Sequence, residues 1–347
     1  MSADAGHAVS ASRAAGQRPS RDTPLGEPQP PLSDPGSGRR RRRRGEQLMV
    51  PKASFESYYG RPILKEPTWQ ALDIAGYLFL GGLAGASSVL AAGAEATRRP
   101  ELARVCRAGA AAAISLSLVA LVHDLGKPTR FVNMLRVAKP TSPMSVGSWV
   151  LTCYAPMAIG AATLDLSGRL PTVKTLATAG AAGLGPVVAS YTAVLLADTA
   201  VPAWHAPHRV LPFVFAGSAA SAAGGLALLL APSAQTGPAR RVALIGAATE
   251  TVAAHQMTAA AGLAGDCFRQ GPAGRLLKTA RVLTVTGSAL TVVGTRLPLA
   301  ARLGGAALLA ASACTRFGIF SAGVASTQDP RYVVAPQQQE RPDRGRP

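Results

Sequence analysis

LVALVHDLGKPTRFVNMLRVAKPTSPMSVGSWVLTCY (residues 118–154) decides how this chain must fold. It leaves an apolar run at the adjacent His123 and Asp124, crosses a short basic stretch, and enters a second apolar run at Ser145. A helix of about 20 apolar residues spans the roughly 30 Å hydrocarbon core of a bilayer. Working outward, the same rhythm gives eight such segments, at 72–94, 104–123, 145–166, 173–197, 209–231, 240–264, 278–297 and 302–323. Between Leu72 and Gly323 the acidic residues are Asp73, Glu95, Glu101, Asp124, Asp165, Asp198, Glu250 and Asp266, most of them near the ends of apolar runs. Mean hydropathy is +0.20 although the N-terminal region is polar. A water-soluble core cannot hide so many long Ala, Leu, Val and Gly segments, so the expected class is an all-α integral membrane protein with eight transmembrane helices.

The formal charge of +18 would suit a nucleic-acid binder. The basic residues, however, fall in the tails and in short connections between apolar runs, where Lys and Arg of a membrane protein meet water and anionic headgroups. Nucleic acid is therefore not expected as a partner, and membrane lipid is. Cys106, Cys153, Cys267 and Cys314 stand singly, with no CxxC pair, so no iron–sulfur or zinc site is expected on this chain. They read as small apolar packing residues.

Residues 1–65 are rich in Pro, Gly and Arg, with an unbroken arginine run from Arg39 to Arg44, and are expected to be a disordered basic tail. Met49 is an alternative start. Residues 324–347 read as a second disordered tail. The connection carrying Lys127, Arg130, Arg136 and Lys139 and the one carrying Arg269, Arg275, Lys278 and Arg281 hold corresponding places in the two halves. That layout suits two four-helix bundles, at 66–200 and 201–323. An even number of helices puts both tails on one side. The loops divide their Lys and Arg nearly evenly, so the arginine run, with Lys52, Arg61 and Lys65, assigns that side to the cytoplasm of a plasma-membrane protein. Gly81, Gly82 and Gly85 allow close helix approach, and Pro156 and Pro186 interrupt the third and fourth helices.

Ionisable groups inside a membrane are expensive, and each is a functional candidate. Asp73 and Tyr77 open the first helix one turn apart, His123 and Asp124 close the second, and Tyr191 stands near the end of the fourth. All five belong to the tail side. A quinone headgroup has two carbonyl oxygens, each wanting a hydrogen-bond donor, and its reduction takes up two protons with two electrons. A phenol (Tyr191) and an imidazole (His123) supply donors, and a carboxylate (Asp124 or Asp73) handles protons. The plainer alternative is that His123 and Asp124 only cap their helix at the interface. Glu250 and His255 lie deeper, five residues apart and so not on one helical stripe. They suit either a proton relay or hydrogen bonds that hold the bundle, with Arg316 as a counter-charge to Glu250. The segment 129–139 carries Phe131, Met134, Leu135 and Ala138 on one face and Arg130, Asn133 and Arg136 on the other, as an interfacial amphipathic helix does, and Ser145 is a candidate cap for the third long helix.

The segment 118–154 resembles the signature of the NrfD/PsrC family, the membrane subunits of polysulfide-reductase-type molybdoenzyme complexes. PTWQALDIAGYLFLGGLAGASS (67–88) is similar to that family's first helix, and SYTAVLLADTAVPAW (190–204) to its fourth. The resemblance is dense over residues 66–207 and thin beyond. It implies eight helices in two four-helix bundles, with menaquinone or ubiquinone bound in the first. It also implies electron exchange with a four-cluster, ferredoxin-like iron–sulfur subunit, which serves a molybdopterin catalytic subunit. Matched by position, Tyr191, His123 and Asp124 fall on the quinone site, Asp73 less securely. Lys127, Arg130 and Arg136 then border the face covered by the partner, which would carry the clusters this chain lacks.

Two other readings compete. A b-type haem anchor needs two facing imidazoles, and only His123 and His255 fall within the helices, in different halves. A secondary transporter or proton channel would use Glu250, His255 and Arg316. It would favour helix breaks in both halves, whereas the prolines interrupt only the first.

Overall fold

The computed structural model describes residues 64, 67, 69–127 and 129–334. The arginine run and the rest of the N-terminal tail through Lys65, apart from Leu64, lie outside them, as do residues 335–347; of the C-terminal tail expected to be disordered, residues 324–328 are instead helical and Tyr332 is buried. Among the described residues the regular structure is helical, and eight helices are long: α1 (Ala71–Ala96), α2 (Pro100–Leu125), α3 (Pro143–Ser167), α4 (Pro171–Ala197), α5 (Leu211–Leu230), α6 (Gly237–Ala260), α7 (Gly271–Val293) and α8 (Pro298–Gln328). Seven of them are long and apolar enough to cross a membrane; α6 is the exception. It has 24 residues, but Glu250, His255 and Gln256 in its second half lower its apolar character.

Local sequence sets the ends of these helices. Each from α2 to α8 carries proline in its first two positions, where a missing N–H costs nothing and φ is already helical. Gly126 (φ 71°) and Gly168 (φ 64°) follow α2 and α3 in positive-φ backbone that a side chain would strain. Between α2 and α3 only Thr129–Met134 is helical, shorter than the amphipathic period suggests. Ser145 does not cap α3: its hydroxyl donates to the Val137 carbonyl (2.7 Å) and accepts from the Lys139 amide (3.0 Å), tying down the preceding loop instead.

The apolar helices are held by small-residue contacts, since lipid offers no hydrophobic drive for helix association. α1 is the hub and packs on α2, α4, α5 and α8; α3 packs on α2 and α4, α5 on α6 and α8, and α7 on α8. Gly85 of α1 lies against the backbone of Gly185 in α4, and Gly225 of α5 against that of Gly305 in α8, leaving no room for a Cβ at either crossing. Between α4 and α5 the short helix Pro202–His205 drives the fully buried Trp204 inward. Its indole stacks on Trp69 (5.9 Å between centroids), and its Nε1 donates to the Ile319 carbonyl (2.8 Å). The chain ahead of α1 and the last third of α8 therefore meet on one side, with the end of α2 and the α4–α5 connection.

Candidate functional site

On that side, the start of α1 faces the end of α2. Asp73, whose side chain is nearly buried, meets His123 Nδ1 through Oδ2 at 2.8 Å, while 69 % of the His123 side chain stays exposed. The carboxylate that meets the imidazole therefore comes from another helix and not from its chain neighbour. Asp124 instead accepts the Gln70 amide at 3.4 Å, closing the open N-terminus of α1. Tyr77, one turn below Asp73, is buried in the core. Tyr191 is buried too, with its ring on Gly147 of α3 so tightly that a Cβ there would overlap it. Among the described residues neither phenol makes a hydrogen bond through its hydroxyl, and none ties Tyr191 to the Asp73–His123 pair. Lys127, Arg130 and Arg136 are all exposed, and Arg130 donates to the Leu125 carbonyl (3.0 Å), finishing α2.

The opposite ends of the same four helices hold a charge network that the sequence reading missed. Arg107 of α2, its side chain 4 % exposed, donates to Glu95 of α1 (3.1 Å) and to Asp165 of α3 (2.8 Å). Lys174 of α4 stands 3.7 and 3.6 Å from the same two carboxylates, and Thr175 donates to Glu95 at 2.9 Å. The signal was available: opposite charges sit near the ends of four consecutive apolar runs. Two partly buried carboxylates sharing one buried guanidinium across three helices make a clamp, the paired arrangement that buried charge requires.

A third polar region lies in the second half. A cavity of about 520 Å³ is bordered by Val214 of α5, Glu250, His255 and Thr258 of α6, Arg269 of the connection before α7, Arg281 and Thr284 of α7, and Thr315 of α8. Glu250 is buried, and its Oε1 accepts the Thr315 hydroxyl at 2.7 Å. Arg316, fully buried, donates from Nη2 to the Phe215 carbonyl (2.7 Å), with its guanidinium 3.8 Å from the centre of the Phe215 ring. Glu250 Oε2 and Arg316 Nε and Nη1 have no hydrogen-bond partner among the described residues. Arg316 thus shares the buried region with Glu250 without a direct hydrogen bond to it. Glu250 and His255, expected on different stripes of one helix, border the same cavity. Among the described residues no cluster of three or more His, Cys, Asp or Glu side chains suits a metal ion.

These long helices, seven of them apolar enough to cross a membrane, define a multi-pass membrane protein. The family model for polysulphide reductase, NrfD, matches residues 64–245, just over half of the chain, and the chain belongs to that family. Its members are membrane subunits of quinone-linked oxidoreductase complexes. The match takes in α1 to α5, with Asp73, His123, Asp124 and Tyr191, and ends inside α6 before Glu250. No curated protein matches the chain.

Proposed function

We propose that this chain is the membrane subunit through which the quinone pool exchanges electrons and protons with an iron–sulfur partner of a molybdopterin oxidoreductase complex. On this reading all eight long helices cross the plasma membrane as two four-helix bundles, α1–α4 and α5–α8, with both termini in the cytoplasm. The observation that carries the proposal is the Asp73–His123 pair, in the family-matched half and exposed on the imidazole side. The residues fit a quinone headgroup: Tyr77 and Tyr191 carry hydroxyls that make no hydrogen bond to a described residue, and His123 has its second ring nitrogen left over from the contact with Asp73. When bound, the quinone supplies two-electron, two-proton redox chemistry.

The roles of the chain's own groups follow from their surroundings. Tyr191, braced by Gly147, is a fixed donor in an apolar wall. His123 holds or gives up a proton at Nε2, while Asp73 fixes its ring through Nδ1 and balances the imidazolium charge. Asp124, held to the Gln70 amide, adds a carboxylate beside them. Lys127, Arg130 and Arg136 present an exposed basic surface to the acidic or electron-carrying partner.

Affinity purification in mild detergent, followed by identification of co-purifying chains and by optical and EPR spectra, tests this. A cysteine-rich iron–sulfur subunit with a molybdopterin protein is the expected result. A colourless chain that purifies alone, and that crosslinks to no such partner in native membranes, overturns the proposal.

A further inference from the structure

We infer that the second half of the molecule carries a proton-loading site of its own, in which Glu250 takes up and releases a proton through the cavity bordered by His255, Arg269 and Arg281. This does not rest on the quinone reading, since it concerns a different half and different groups.

Three observations carry it. First, Glu250 is 4 % exposed, one of its oxygens is bonded, and the other has no hydrogen-bond partner among the described residues. A buried carboxylate with an unpaired oxygen is held either by a proton or by a nearby positive charge. Arg316 supplies that charge, but its free nitrogens are not bonded to the carboxylate, so neither state is locked. Second, a cavity reaches the Glu250 side chain. At about 30 Å³ per molecule its volume holds more than ten waters, and the hydroxyls of Thr251, Thr258, Thr284 and Thr315 along its walls suit them. Third, His255 lies five residues towards the open end, about 7.5 Å along the axis, where an imidazole can pass protons between water and the interior.

The charges around Glu250 decide what the site takes. The same cavity is bordered by His255 from its own helix, by Arg281 from α7 and by Arg269, the residue after the short helix Gly262–Phe268, and Arg316 of α8 follows Thr315, which bonds Glu250. α5 contributes the Ser218 hydroxyl, the Phe215 carbonyl that holds Arg316, and Gly217 against the Glu250 backbone, and α1 contributes Gly82, which lies against Arg316. A cavity bordered by two exposed arginines repels a metal cation, whereas a proton needs only a chain of water and hydroxyl groups. On loading, the Glu250 carboxylate becomes a carboxylic acid, Arg316 keeps its proton, and the pair changes from neutral to a net charge of +1. That uncompensated guanidinium charge favours the ionised carboxylate and so drives release of the proton.

The test uses the full-length protein in native membranes and an apolar carbodiimide, which forms an adduct only with a protonated carboxyl. Mass spectrometry reads the peptide carrying Glu250, with Glu250→Gln as the blank. The expected result is an adduct on Glu250 that falls about tenfold per pH unit above its midpoint, as for a single titrating group. Arg316→Met should move that midpoint upward, because removing a positive neighbour favours the protonated acid. In parallel, Thr284→Cys should react with a water-soluble thiol reagent, since Thr284 is otherwise buried and borders the cavity. A Glu250 peptide that stays unmodified at every pH, an adduct that ignores pH, or an inert Thr284→Cys each overturns the inference.

Discussion

His123 and Asp73 meet at 2.8 Å across the joint between α2 and α1, so the only imidazole of the family-matched half's long helices is oriented by a carboxylate from a different helix. An imidazole held this way keeps one nitrogen fixed and the other available. Asp73→Asn keeps the shape and removes the charge, so it should lower quinol-dependent turnover by about 10²-fold or more, while the amount of complex assembled in the membrane stays the same. His123→Gln should do the same. Turnover measured against a quinol analogue, with assembly read from the co-purified partner, separates the two effects. Unchanged turnover in both variants would remove this pair from the site.

Tyr191 offers a sharper test because its neighbour can be changed instead. Tyr191→Phe removes one hydroxyl from a position where it makes no hydrogen bond to a described residue, so stability should change little. Quinol-dependent turnover should fall. Gly147→Ala leaves the hydroxyl in place but pushes a methyl group into the ring. It should also lower turnover by displacing the phenol, with an overpacking cost of about 1–3 kcal/mol. If Gly147→Ala loses stability with normal turnover, the position of the ring does not matter and the tyrosine only packs.

The particular residues show what one sequence could and could not reveal. Helices α1 to α5 were legible because an apolar run ended by glycine or proline has few other ways to satisfy its backbone in lipid. α6 was legible by length but is less apolar than the rest, for the same residues that make it interesting. Which carboxylate meets His123 was not fixed, since Asp73 and Asp124 were both available and only the packing of α1 on α2 chooses. Glu250 and His255 differ by about 140° around an ideal helix, so the sequence did not put them on one stripe. They border one cavity because it is lined by four helices. The Glu95–Arg107–Asp165–Lys174 network was hidden for a related reason: its members belong to four helices, and the sequence does not say which faces oppose one another.

That network gives a stability prediction independent of any redox chemistry. Arg107→Met leaves Glu95 and Asp165 with Lys174 at 3.6–3.7 Å, the exposed Arg104 at 3.5 Å from Asp165 and the Thr175 hydroxyl on Glu95 at 2.9 Å. Removing one partner of a buried ionic cluster costs about 3–5 kcal/mol, and this variant should lose an amount near the lower end because Lys174 remains. The double variant Arg107→Met with Asp165→Asn should lose less than the two single variants added together, since each removes the other's orphaned charge. Unfolding of the detergent-solubilised protein by a denaturing detergent reads all three. Additive losses would mean that the four ends are not energetically linked.

The last relationship joins the α4–α5 connection to α8. Gly323 lies directly under the Trp204 ring, which has no space to retreat because Trp69 stacks on it and Phe320 stands 5.6 Å away. Gly323→Ala should therefore cost about 1–3 kcal/mol through overpacking, despite the helix propensity that alanine brings. Trp204→Phe should be costly for a different reason, because it leaves a cavity and frees the Ile319 carbonyl from its 2.8 Å partner. Combining the two tells them apart. The smaller ring makes room for the methyl group, so the double variant should be more stable than Trp204→Phe alone. A double variant worse than both singles would show that the indole N–H, rather than the fit of the ring, holds this connection against α8.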